Sequence, residues 1–230
     1  MRENFTELVF VIDESGSMGG LESDTIGGFN SLIEKQKKED GEAYVSTVMF
    51  NTVNRVIHDR VNLQKIEPMT DRDYRPGGGT ALLDAVGDAI HHIGNVHRYA
   101  REEDRPGKTL FIITTDGMEN SSCRYTYKEI KRKIDRQKEK YGWEFLFLGA
   151  NIDAIDVAGR MGIRRDNAVN YECDEVGTSL NYDVLERAVG RARKLSSADF
   201  ASGCAFAGGS WKAEIEVDYE KRHGKKGGKR

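Results

Sequence analysis

The sequence predicts an α/β protein: a doubly wound, mostly parallel sheet with one antiparallel edge strand and helices on both faces. Three observations lead there. Leu8-Val9-Phe10-Val11-Ile12, Leu110-Phe111-Ile112-Ile113 and Phe145-Leu146-Phe147-Leu148 are unbroken apolar runs, as expected for strands covered on both faces. Other segments repeat their apolar residues at helical spacing. The two kinds of segment alternate along the chain, the order that builds a parallel sheet with crossover helices.

Taken in order, Glu7 to Ile12 reads as a strand ending abruptly in Asp13-Glu14-Ser15-Gly16-Ser17. From Glu22 to Lys38, Ile26, Phe29, Leu32 and Ile33 mark a helix. Ala43–Phe50 and Val53–Arg60 are β-rich with only Asn51-Thr52 between them, so they predict a hairpin whose second strand is the antiparallel edge. A loop closing in Pro76-Gly77-Gly78-Gly79-Thr80 leads to a helix carrying Leu82, Val86, Ile90 and Ile93, and the strand at Leu110 runs into Thr115-Asp116-Gly117. Tyr127, Ile130, Ile134 and Tyr141 line a further helix; the strand at Phe145 follows, then a short helix over Ile152–Met161, a short strand over Ala168–Tyr171 and a helix over Val176–Leu195. Trp211, Ala213, Ile215, Val217 and Tyr219 then alternate with polar residues, which predicts a one-sided strand. From Lys221 to Arg230 the chain is a basic, glycine-rich tail, too polar to pack and expected to be disordered.

Composition narrows the function classes. In 230 residues, 32% charged and 38% hydrophobic, the net charge is −3. That gives no overall field suited to nucleic acid. No stretch approaches the roughly 18 apolar residues of a membrane span, and Met1 to Glu7 lacks the apolar core of a signal peptide. A cytoplasmic protein is expected, with no membrane partner. Cys123, Cys173 and Cys204 match neither a disulfide framework nor a metal knuckle, and read as free thiols.

The chemistry sits in the loops beyond strand ends and ahead of a helix: Asp13, Ser15 and Ser17, then Thr80, then Asp116. Carboxylates and hydroxyls without His or Cys describe a hard-cation site, suited to Mg²⁺, with Mn²⁺ as a substitute. Asp13-Glu14-Ser15-Gly16-Ser17, Gly79-Thr80 and Thr115-Asp116-Gly117, in that order, resemble the three-part metal-ion-dependent adhesion site (MIDAS) of von Willebrand factor A-type (VWA) domains. The likeness covers roughly Glu7 to Leu195. It is closest to bacterial intracellular members, in which Asp-Gly followed by Glu-Asn-Ser-Ser, here Asp116 to Ser122, is a familiar sequel.

The resemblance implies a Rossmann-like VWA domain over residues 1–195, with a C-terminal extension over 196–230 holding the strand at 211–219 and the basic tail. It also implies that the Ser15, Ser17 and Thr80 hydroxyls ligate the metal directly while Asp13 and Asp116 act largely through water. The ion would then accept an Asp or Glu from a protein partner, without catalysis. A shift of the last helix would be coupled to closing of the site, and intracellular relatives work in multiprotein assemblies. Two other readings remain. Asp13 could be the nucleophile of a metal-dependent phosphatase or hydrolase, though the second Asp expected two residues on is replaced by Ser15. Alternatively, the basic residues Lys128, Lys131, Arg132, Lys133, Arg136, Lys138 and Lys140 could bind nucleic acid, although they lie opposite the helix's apolar stripe, as a solvated face does.

Overall fold

A computed structural model gives the fold and describes residues 1–224. Six strands form one sheet: β1 (Arg2–Asp13), β2 (Glu42–Phe50), β3 (Asn54–Asn62), β4 (Pro106–Thr115), β5 (Glu144–Gly149) and β6 (Ala168–Asn170). Their spatial order is β3-β2-β1-β4-β5-β6. All neighbours are parallel except β2 and β3, whose antiparallel pairing comes from the short turn at 51–53. The expected sheet, with its single antiparallel edge strand, is the observed one.

The helices are α1 (Glu22–Gln36), α2 (Leu82–Tyr99), α3 (Tyr127–Tyr141), α4 (Ala154–Arg160), α5 (Glu175–Lys194), α6 (Ser197–Ala201) and α7 (Ala213–His223). Successive side chains of a strand point to opposite faces, and β1 shows the result. Leu8, Phe10 and Ile12 enter a core with Phe29 and Leu32 of α1 and Leu185 and Val189 of α5. Val9 and Val11 enter a second core with Val86 and Ile90 of α2 and Ile130 and Ile134 of α3. Each core seals one side of the sheet, which is why β1 had to be apolar at every position from Leu8 to Ile12.

Local chemistry sets the helix ends. Thr126 and Glu129 form a capping box at the start of α3, and Gly142 ends it in the left-handed region at φ 62°. Tyr141, expected on the buried stripe, is instead 50% exposed at the helix's last turn.

The strand expected at 211–219 does not form. Ala207–Lys212 is a kinked 3-10 segment and Ala213–His223 is α7. Two features decide this. Trp211 and Ile215, four residues apart, are both buried in the first core, whereas Val217 is 48% exposed, so the burial follows helical spacing. Pairs Lys212–Glu216 and Asp218–Arg222 are each one turn apart and bonded, which adds helical support. The sheet edge such a strand would have joined is occupied, because Lys212 Nζ donates to Ala168 O at 2.6 Å and α7 lies against β6. Of the basic tail, Lys221 to His223 belong to α7, and residues 225–230 lie outside the described residues.

Candidate metal centre at the crevice between β1 and β4

The chain leaves β1 towards β2 on one side of the sheet and later returns to β4 on the other. At such a reversal the loops beyond the carboxyl ends of the two strands diverge and leave a crevice. Asp13 is the last residue of β1, and Asp116 follows the last residue of β4.

Asp13 is 1% exposed, and both its oxygens are held: Oδ1 accepts from Ser15 N at 2.7 Å and Oδ2 from Thr115 Oγ1 at 2.6 Å. Asp116, also 1% exposed, accepts on Oδ1 from Ser17 Oγ at 2.7 Å and Ser15 Oγ at 3.4 Å. The two serine hydroxyls are 3.1 Å apart. Thr80 is buried, and its Oγ1 and the Ser17 Oγ lie 3.4 and 3.6 Å from where a Cβ on Gly117 would sit. Ser15, Ser17, Thr80 and Asp116 therefore converge on one small volume, bordered from below by Asp13. All five sequence-predicted residues are brought together.

Glycine backbone lines the approach. Gly16 N donates to Gly78 O at 3.1 Å and Gly77 N to Glu14 O at 2.9 Å, so the 77–79 loop is laid directly on the serine loop. Gly78 holds φ at 75°, a conformation that side-chain-bearing residues avoid.

The electrostatics are lopsided. No cationic side chain is a hydrogen-bond or ion-pair partner of Asp13 or Asp116 among the described residues. Arg55, which approaches from β3, is engaged by the buried Glu14 at 3.0 Å and by Asp73 O at 2.7 Å. Burial raises the Asp13 carboxyl above its ordinary range; the bonds from Ser15 and Thr115 oppose this, and the charge of Asp116 adds to it. Two buried carboxylates without a cation, beside three hydroxyls, form a donor set that fits a hard divalent cation. Clusters of three or more His, Cys, Asp or Glu suited to a metal do not occur among the described residues. The hydroxyl-rich set is a different kind of site.

Several contributors were not anticipated. Tyr74, buried in a polar loop, donates its hydroxyl to Asp13 O at 2.7 Å and fixes the end of β1. The Glu119–Tyr125 loop grips Thr80 and the start of α2. Asn120 Oδ1 accepts from Thr80 N at 2.9 Å, and Glu119 Oε2 accepts from Leu83 N at 2.9 Å. Asp84 accepts in turn from the backbone of Cys123, Arg124 and Tyr125, each at 3.0 Å. Cys173 places Sγ 3.7 Å from Asp116 Oδ2, and burial followed by the Asp116 charge pushes its thiol up to about 12. The Glu-Asn-Ser-Ser sequel was the one visible signal for the loop. A lone tyrosine amid Asp71, Arg72, Asp73 and Arg75 was the signal for Tyr74.

His91, His92 and His97 stay away from the centre. His92 pairs with Asp59 at 2.7 Å, His91 contacts Asn95, and His97 packs on Trp143 near Glu7. The three cysteines are free thiols.

Comparison with known proteins gives the fold a name. No family model and no curated protein matches the sequence. Solved structures do. Proximal thread matrix protein 1 from the mussel byssus, with a zinc-occupied MIDAS motif, aligns at TM-score 0.57 and 13% identity over 82% of this chain and 46% of that one. A variant of the PilB minor pilin from Streptococcus sanguinis aligns at 0.54 and 14% identity over 87% of this chain and 63% of that one. A von Willebrand factor type A structure from Catenulispora acidiphila aligns at 0.52 and 12% identity, over 83% and 44%. The chain thus has the fold of von Willebrand factor A-type domains, and it spans about half the length of the structures it matches. No helix among the described residues is long and apolar enough to cross a membrane.

Proposed function

We propose that the protein is a divalent-metal-dependent interaction module of the VWA type. It would use a MIDAS built from Asp13, Ser15, Ser17, Thr80 and Asp116 to bind an acidic residue of a partner protein. Mg²⁺ is the expected ion, with Mn²⁺ able to replace it, and the setting is the cytoplasm, within a multiprotein assembly. The observation that carries this reading is the burial of Asp13 and Asp116 together with no cationic side chain as partner among the described residues, Asp116 accepting from the Ser15 and Ser17 hydroxyls and Asp13 from the Thr115 hydroxyl. The zinc-occupied MIDAS of the mussel protein on the same fold supports it.

In this reading the Ser15, Ser17 and Thr80 hydroxyls would hold the ion directly. Asp116, which accepts from the Ser15 and Ser17 hydroxyls, and the buried Asp13 would supply the compensating negative charge largely through water. When bound, the ion would supply an electrophilic position for a carboxylate from outside. Tyr74 and Thr115 fix Asp13, and the Glu119–Tyr125 loop fixes Thr80.

No catalytic step is assigned. Asp13 is 1% exposed and set back from the crevice on Ser15 N and Thr115 Oγ1, an arrangement that suits a supporting role better than attack on a substrate. Nor does α3 favour nucleic acid, since Asp135 and Glu139 interrupt its basic face and Lys131 pairs with Asp135 at 2.7 Å.

The test is capture of partners from native cytosol by wild type and by Ser15→Ala/Asp116→Ala, in Mg²⁺ and in EDTA. A protein retained only by wild type with Mg²⁺ is the expected result. Partners that survive both EDTA and the substitutions would refute the reading.

A further inference from the structure

The loop between β6 and α5 faces the metal centre with one side chain and the C-terminal extension with the two beside it. Cys173 Sγ lies 3.7 Å from Asp116 Oδ2, the oxygen that the serines leave free. On either side of it, Glu172 and Asp174 are both held by the last turn of α7. His223 Nε2 is 2.6 Å from Glu172 Oε2, and Arg222 bonds Asp174 Oδ2. Asp174 also caps α5, accepting from Gly177 N at 2.7 Å.

α7 is well placed to act on this loop. At its start Trp211 Nε1 donates to Asp166 O at 2.7 Å, and Lys212 Nζ donates to Arg165 O and Ala168 O. Ile215, in its first turn and 2% exposed, anchors it in the core. At its end Asp218 holds Arg222 at 2.9 Å and the Tyr219 ring stacks on His223 at 4.2 Å, so both gripping side chains are oriented.

We propose that Cys173 is a positioning residue of the metal centre and that α7 is the clamp that holds it there. This rests on the metal reading above. A donor on Oδ2 stops the Asp116 carboxylate from rotating and keeps Oδ1 on the serine hydroxyls; partners of this kind commonly govern metal affinity. The gripping pairs are partly exposed, and such pairs add little to global stability. The clamp can therefore open without unfolding the domain, and the C-terminal extension tunes the site.

The test uses the full chain with Arg222→Ala/His223→Ala, Cys173→Ala and Cys173→Ser. Two readouts are needed: Mn²⁺ affinity by electron paramagnetic resonance, and the rate at which iodoacetamide alkylates Cys173 in EDTA, followed on its own peptide by mass spectrometry. The clamp variant should keep its circular dichroism, alkylate Cys173 about tenfold faster as the loop opens locally, and bind Mn²⁺ about tenfold more weakly. Cys173→Ala should weaken Mn²⁺ similarly, and Cys173→Ser, which keeps a donor, should recover most of the loss. Unchanged alkylation in the double variant overturns the clamp. Unchanged Mn²⁺ affinity in Cys173→Ala overturns the positioning role. Wild-type protein that takes no Mn²⁺ overturns the metal reading and the positioning role with it, and the alkylation rates then decide the clamp alone.

Discussion

At Asp13 and Asp116, two carboxylates are withdrawn from water with hydroxyls, a thiol and a backbone N–H as their partners. Without a cation such burial costs several kcal/mol per ion even after relaxation and water penetration. Removing one charge should relieve the metal-free protein. Asp116→Asn is expected to raise the melting temperature in EDTA by about 2–4 °C, the shift that about 1 kcal/mol gives a chain of this size, and to abolish stabilisation by Mg²⁺. A fall in EDTA with Mg²⁺ stabilisation retained would count against the site.

Asp84 behaves in the opposite way. Burial pushes its carboxyl up, but the backbone N–H groups of Cys123, Arg124 and Tyr125 outweigh that and leave it below its ordinary value. A carboxyl lowered on folding contributes stability that is fully present above its unfolded pKa, about 3.9, and lost as pH falls through the folded value. Asp84→Ala should cost about 1.5–3 kcal/mol at neutral pH, because three part-buried N–H donors lose a charged acceptor. Denaturant titrations should show the gap from wild type closing only below about pH 4. A constant gap down to pH 2 would show that the carboxylate charge is not what holds the loop.

Those two aspartates also mark how far residues can be read from sequence. Asp13, Ser15, Ser17, Thr80 and Asp116 were legible because strand ends and a glycine-rich loop place their oxygens where a doubly wound sheet opens. Asp84, Tyr74 and Cys173 act through tertiary contacts with residues 39, 61 and 57 positions away. Nothing in their local sequence states those partners.

Among the elements, α1 and α5 pack closely enough that one helix face requires glycine. A Cβ on Gly28 would meet the Tyr182 ring at 2.2 Å, whereas one on the adjacent Gly27 would meet nothing within 4 Å. Gly28→Ala should destabilise by about 1–3 kcal/mol through overpacking. Gly27→Ala should stabilise by about 0.5–1 kcal/mol, because alanine restricts the unfolded chain and favours helix. Equal effects from the pair in chemical denaturation would mean that the helices are less tightly apposed.

The far end of α5 is fastened as well. Lys108 Nζ donates to Arg193 O and Leu195 O at 2.8 Å each, and Arg193 Nη1 donates to Gln36 O at 2.7 Å at the end of α1. Any shift of α5 coupled to the site would have to break these caps. The helix at 213–223 shows where element reading fails. Alternation over Trp211 to Tyr219 satisfies a strand template, but Trp211 and Ile215 also satisfy a helical one, and in a stretch this short only the tertiary partners choose between them.

For the molecule as a whole, the mostly parallel sheet, its antiparallel edge strand and the helices on both faces followed from the periodicity of the strands and helices up to Leu195. The part beyond did not, because Phe200, Phe206, Trp211 and Ile215 are completed by a core that the earlier elements build. The extension is thus continuous with the domain it follows. It brings α7 against the loop that carries Cys173, beside the crevice that holds Asp13 and Asp116.

The measurement closest to the central claim is Mn²⁺ binding to the 230-residue chain by electron paramagnetic resonance, with Mg²⁺ as competitor, in wild type and Ser15→Ala/Asp116→Ala. A single Mn²⁺ per chain is expected, displaced by Mg²⁺ and lost in the double variant while that variant remains folded. Equal binding by both proteins, or none by wild type, would contradict it.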